Sequence, residues 1–274
     1  MPSIGRIVVK GPARMSPAEG RRILKRTFGS HWPPGKKVKF LITPGGFLEI
    51  AARIREQGNC GWGSNVSDIK PFIAVAETQV KKMLPEDVIK AAKDKTKILT
   101  IGVDVFLEDD RHAELVAVFD VGKRKIVRWT GKSYPVLSQE RSLVQVADLR
   151  SHFLRIVGER TMILGCHDLN IFSPRAWKNQ KPSSHRRRRC SDMRKMAKRF
   201  KPTVVLQHPH TTDTPRIWRQ AWLAIQNDYP SVKTWASGIC YHNNRERRRA
   251  PLDSVLKGTR TENEQVVDIE VSKK

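Results

Sequence analysis

Two stretches of the chain combine residue types that could do chemistry together. The first, Arg160 to Trp177 (RTMILGCHDLNIFSPRAW), is an apolar run that ends on a cysteine and passes at once into a polar turn. A strand of this kind would deliver Cys166 to the C-terminal edge of a sheet, where open α/β folds bind ligands. A helix start is expected just after it, and backbone N–H groups there lower a thiol pKa and can hold an oxyanion. An inert, buried cysteine fits the same spacing. The second stretch, Trp129-Thr130-Gly131-Lys132-Ser133, puts a lysine just past a strand end, with Glu140 eight residues later. Taken alone, Lys132 and Glu140 could equally be solvated loop charges. A third group, His208-Pro209-His210-Thr211-Thr212-Asp213, follows the strand TVVLQ and reaches the same sheet edge. His208, His210 and Asp213, with His242, could be read as metal ligands. No HExxH and no CxxC pair supports that reading, so neither metal nor cofactor is expected. His210 is then a pocket residue, available as a base.

These residues need a sheet to position them, and the pattern supplies one. Ile4 to Lys10 reads as a strand. Ser16-Pro17-Ala18-Glu19 has the signature of a capping box, opening a helix to about Phe28. Lys37 to Thr43 is a second strand, stopped by Pro44-Gly45-Gly46, so the chain opens as a β-α-β unit. Residues 67–94 read as two helices broken at Pro85. Strands follow at 97–106, 114–120 and 125–129, with a hairpin turn at Asp120-Val121-Gly122-Lys123. The remaining readings are a strand at 161–165, a basic helix at 190–200, a strand at 203–207, a Trp-rich helix at 215–226 and one last core strand at 232–240. From Asn243 the chain is polar, with a strand-like run at 265–271.

The order strand–Lys132, Glu140, strand–Cys166-His167-Asp168-Leu169 resembles the nitrilase (carbon–nitrogen hydrolase) superfamily. The Ile4 strand, its capped helix and KFLITPGGFL look like that family's first β-α-β unit, and Trp218 to Asn243 like its closing helix and strand. The resemblance implies an α/β fold of the four-layer α-β-β-α sandwich type over residues 1–242. Residues 243–274 would form a polar, basic extension, which could pack on a partner subunit of a homo-oligomer. It also implies a cysteine-dependent hydrolase of a non-peptide carbon–nitrogen bond, in a small-molecule amide or nitrile. Cys166 would attack, and Lys132 and the backbone N–H of His167 would hold the oxyanion. Glu140 would support Lys132, and Asp168 would hold the turn. One departure stands out. The family's general-base glutamate follows a proline at the end of the second strand, where this chain has Pro44-Gly45. Glycine cannot move a proton, and losing a general base typically costs about 10² to 10⁴ in rate. Either Glu49 or His210 substitutes, or the protein is a nitrilase-like binding or scaffold protein that has lost catalysis.

Composition sets the outer limits. The 274 residues, 39% hydrophobic and 29% charged, suffice for a proper core. No apolar run approaches the roughly 18–20 residues that span a bilayer. There is no signal-peptide pattern, and the four cysteines are scattered, so a reducing, cytoplasmic setting is expected. The net charge is +25. A field of that sign attracts nucleic acid and anionic ligands. Residues 181–199 alone hold nine Lys or Arg against one acid, Asp192. Little aromatic interleaving is available there for base stacking. Nucleic-acid binding through this surface, or through Arg245 to Arg249, is a third reading.

Overall fold

The computed structural model describes residues 3–53, 69–134, 136, 139–174, 180–181, 183–211, 215–242, 249–262 and 264–273. Cys60, Asp213 and residues 243–248 of the second basic run lie outside them. The first sheet contains β1 (Ile4–Lys10), β2 (Val38–Ile42), β3 (Leu48–Ala51), β4 (Thr96–Phe106), β5 (His112–Asp120), β6 (Lys125–Gly131), β11 (Ile239–Tyr241) and β12 (Val266–Ser272). The second runs in the order β10 (Thr234–Ser237), β9 (Val204–Gln207), β8 (Glu159–Leu164), β7 (Phe153–Ile156). β1 and β2 pair in parallel, as do β2 and β4, whereas β4, β5 and β6 form an antiparallel meander.

Alternation along the strands explains the layering. On β4, Leu99, Ile101, Val103 and Val105 face outward, against α1 (Pro17–Phe28), α2 (Lys70–Met83) and α3 (Glu86–Lys93). Ile98 on β4 and Val116 and Val118 on β5 face the other way. There they meet Ile163, Val204, Leu206 and Ala236 of the second sheet in a dry layer between the sheets. The outer face of the second sheet packs on α4 (His185–Phe200) and α5 (Pro215–Asp228), where Trp222 stacks on Trp235 at 4.4 Å between ring centroids. The result is the four-layer α-β-β-α sandwich. Ser16 and Glu19 make the full capping box at α1.

Four departures from the sequence reading have local causes. The expected single strand at 232–240 divides: β10 joins the second sheet, and after Gly238, β11 joins the first. Where a helix start is expected just after Cys166, a short 3-10 turn, Asp168–Phe172, stands first, and residues 175–179 lie outside the described residues. The basic helix starts earlier, at His185, because Ser184 caps it by accepting from the Arg187 N–H. Residues 243–274, read as an extension, supply α6 (Leu252–Gly258) and β12, and β12 pairs in parallel along the whole of β1. Arg6, fully buried on β1, locks this closure. It pairs with Asp268 on β12 and donates to the Leu256 and Thr259 carbonyl oxygens around the end of α6. Removing one partner of a buried pair costs about 3–5 kcal/mol, so the C-terminal strand is integral to this sheet.

Candidate active site

The site forms between the two sheets, where the elbow after β8 meets the meander of the first sheet. Gly165 allows that approach: a Cβ there would lie 2.7 Å from the Lys132 Cα. Asp168 then ties the two backbones together. One carboxylate oxygen accepts from the Ser133 and Tyr134 N–H groups at 2.9 and 2.8 Å, and the other from the Gly165 N–H at 2.9 Å. The backbone segments that carry Cys166 and Lys132 are thereby held against each other, and both residues are buried.

Two carboxylates missed in the sequence reading define the opposite wall. Asp104 and Glu114 are direct cross-strand partners on the inner face of β4 and β5, and only 4% and 6% exposed. Like charges directly opposite destabilise a sheet unless cations intervene. Here they do. The fully buried Lys132 ammonium donates to Glu114 Oε1 at 2.7 Å and to Gln139 Oε1, and Gln139 in turn donates to Glu114 Oε1 at 2.9 Å. His210 sits between the acids, with Nε2 2.7 Å from Asp104 Oδ2 and Nδ1 3.6 Å from Glu114 Oε2. The sequence did carry a signal for both acids: the strand alternation puts Asp104 in step with Ile98, and Glu114 in step with Val116 and Val118, at core positions.

Cys166 closes the cluster. Its Sγ accepts from the His210 backbone N–H at 3.4 Å, and ligand atoms of Glu114, Cys166 and His210 lie within 4.8 Å of one another. Burial pushes the thiol up, but the His167 and His210 imidazoles outweigh it and hold Cys166 down to about 5. Burial lowers His210, but Asp104, Cys166 and Glu114 together raise it well above the ordinary histidine value. Burial favours the neutral form of Glu114, but His210, His112 and Lys132 keep it well below the usual carboxylate range. The arrangement is a thiolate beside an imidazolium, opposite an ammonium–carboxylate pair.

The other expected residues are placed as follows. Glu140 pairs with Arg186 of α4, and it is Gln139 and Glu114 that bind Lys132. Glu49 pairs with Arg14 at 3.4 Å. The His167 ring lies 6.4 Å from that of Trp218, between centroids. His208 is buried, and burial pushes it down to about 3. The main charge partners of the thiol are therefore the two histidines.

At the second strand's end the departure at Gly45 is steric as well as chemical. A Cβ on Gly45 would lie 2.5 Å from the His208 carbonyl oxygen, and one on Gly46 would lie 2.7 Å from Asp104 Oδ2. The Asp104–His210 pair thus fills the space under this turn. A cavity of about 690 Å³ opens onto the cluster, lined by Arg14, Phe106, His112, Glu114, Gln139 and His210 among others. The basic run is partly spent inside the fold: Arg186 binds Glu140, and Arg189 donates to the Ser133 and Val146 carbonyl oxygens, bracing the Lys132 loop.

No family model matches this chain, and no curated protein matches it in sequence. Solved structures do match. A mutant of an amidase from Nesterenkonia sp. AN1, with acrylamide added at its active-site cysteine, superposes with a TM-score of 0.51 and 13% identity. The match covers 87% of this chain and 78% of that one. Another mutant of that amidase, described as from the nitrilase superfamily, gives 0.51 and 15% identity over 88% and 78% of the two chains. At such identities the likeness is one of fold. The chain has the four-layer α-β-β-α fold of these amidase structures. Among the described residues, no helix is long and apolar enough to cross a membrane.

Proposed function

We propose that this protein is a cysteine-dependent hydrolase of a carbon–nitrogen bond in a small amide or nitrile. The observation that carries the reading is the convergence of Cys166, His210 and Glu114 within 4.8 Å, beside the buried Lys132 ammonium. For an amide, the Cys166 thiolate attacks the carbonyl carbon, forming a C–S bond and a tetrahedral oxyanion. Lys132 has three N–H donors and spends two on Glu114 and Gln139, so one remains for that oxyanion, aided by the backbone N–H of His167. The His210 imidazolium protonates the leaving nitrogen as the C–N bond breaks. Neutral His210 then takes a proton from water, whose oxygen attacks the thioester and releases the acid and the thiolate. Asp104 holds His210 in place throughout, in the manner of a Cys-His-Asp triad. His210 thereby does the work that a residue at position 45 cannot. Glu140, through Arg186, positions the Lys132 loop and makes no contact with Lys132. The fold also makes a homo-oligomer and a cytoplasmic setting reasonable proposals.

The test is turnover of a panel of short amides and nitriles. Cys166→Ala should abolish it, by at least about 10⁴-fold. Absence of turnover across the panel, with Cys166 still the most reactive thiol, would favour the binding or scaffold reading that Gly45 motivates. Nucleic-acid binding, the third reading, requires affinity for DNA or RNA that survives about 0.15 M salt and falls steeply above it.

A further inference from the structure

We propose that Cys166 Sγ, His210 Nδ1 and Glu114 Oε2 form a binding site for a zinc ion, which takes the thiolate out of reaction when it binds. Three observations support it. Glu114 Oε2 is a buried acceptor with no hydrogen-bond partner, although the other oxygen of the same carboxylate is bound by both Lys132 and Gln139. That orphaned oxygen lies 3.6 Å from His210 Nδ1. Oxygen and nitrogen ligands about 2.0–2.1 Å from a tetrahedral zinc are themselves about 3.4 Å apart, so this edge of the site is already formed. One ligand atom from each of Glu114, Cys166 and His210 lies within 4.8 Å of the others, so a shift of about 1 Å completes the set at a zinc–sulfur distance near 2.3 Å.

The surroundings also suit a metal. His210 Nε2 is bound to the buried Asp104 carboxylate at 2.7 Å, the carboxylate–histidine arrangement that orients metal-binding imidazoles and makes them better ligands. Asp104, Glu114 and a thiolate at Cys166, set against the single Lys132 ammonium, leave two negative charges once His210 is neutral. A divalent cation cancels them. Zinc would replace the proton that His210 otherwise carries, and that proton would be released on binding. Borderline-soft zinc accepts a sulfur, nitrogen and oxygen set; magnesium and calcium require oxygen ligands. The cavity is lined by two of the three ligands, Glu114 and His210. None of this depends on the hydrolase reading, because metal content and thiol reactivity can both be measured without a substrate.

The experiment uses the full chain, stripped of metal by a chelator and then titrated with zinc chloride, and separately with cobalt(II) as a spectroscopic substitute. One zinc per chain is expected, with the iodoacetamide labelling rate of Cys166 falling at least tenfold and recovering on addition of EDTA. Cobalt should give a near-ultraviolet thiolate charge-transfer band that Cys166→Ala and His210→Ala each remove. Asp104→Asn should keep the band and weaken affinity by about 10- to 100-fold. The inference is overturned if no stoichiometric zinc is taken up, if uptake is unchanged by Cys166→Ala, or if saturating zinc leaves Cys166 labelling unaffected. The wild-type measurements decide the matter even if a variant fails to fold.

Discussion

Cys166 at the elbow and Cys190 on α4 are both buried, both lie in a strongly basic chain, and are in opposite states. The Cys190 thiol is pushed up to about 11 by burial, despite Arg186 and Arg194 close by. Those cations direct their N–H groups elsewhere: Arg186 to Glu140, and Arg194 to the Ile171 carbonyl oxygen at 2.8 Å. Cys166, also buried, is held to about 5, because His167 and His210 address the sulfur itself. An excess of positive charge in the chain therefore says nothing about a given thiol. Which donors face it decides its state.

Iodoacetamide labelling at pH 7 should expose the contrast most strongly. Thiolate fractions at the two sites differ by about 10⁴, and the weaker nucleophilicity of a less basic thiolate takes back roughly 10²·⁵, leaving Cys166 ahead of Cys190 by about 10- to 100-fold. Equal labelling by mass spectrometry would erase the distinction. Next in size is His210→Ala. Losing a cation raises a thiol pKa, so the labelling midpoint of Cys166 should climb from about 5 by roughly 1–3 units, cutting its rate at pH 6 by about tenfold. An unmoved midpoint would mean that His167 alone sets the thiolate. Asp104→Asn acts at one remove. Asp104 raises His210, so its loss should lower that pKa and shift the alkaline limb of kcat/KM to lower pH by about one unit, with the acid limb little changed. The smallest effect is expected at Cys190→Ala. It should leave the pH profile of Cys166 unaltered and cost about 1 kcal/mol of stability in urea unfolding, from lost packing in the α4 core.

Legibility in the sequence followed the range of the interactions. β1, the capped α1, the break at Pro85 and the β5–β6 hairpin rest on neighbours a few residues apart, and each stands where its local signal puts it. The order Lys132, Glu140, Cys166 was also readable and pointed to the right fold. The division of 232–240 between two sheets was not, because an apolar β-branched run suits either sheet equally. Glu140 and Gln139 are adjacent in the chain, so spacing could not say that Gln139 would reach Lys132 while Glu140 turned to Arg186.

The amino-acid sequence by itself determined the β-α-β opening of an α/β sheet, the delivery of Cys166 to a sheet edge and the absence of a carboxylate at position 45. Those are matters of periodicity and residue identity. Only the tertiary structure decided what surrounds the sulfur. Asp104, Glu114, Lys132 and His210 come from four separate segments, and no local pattern ties them together. Electrostatic interaction falls off with distance and solvent screening, so a thiol's charge state is set by which groups folding brings within a few ångströms in a dry interior.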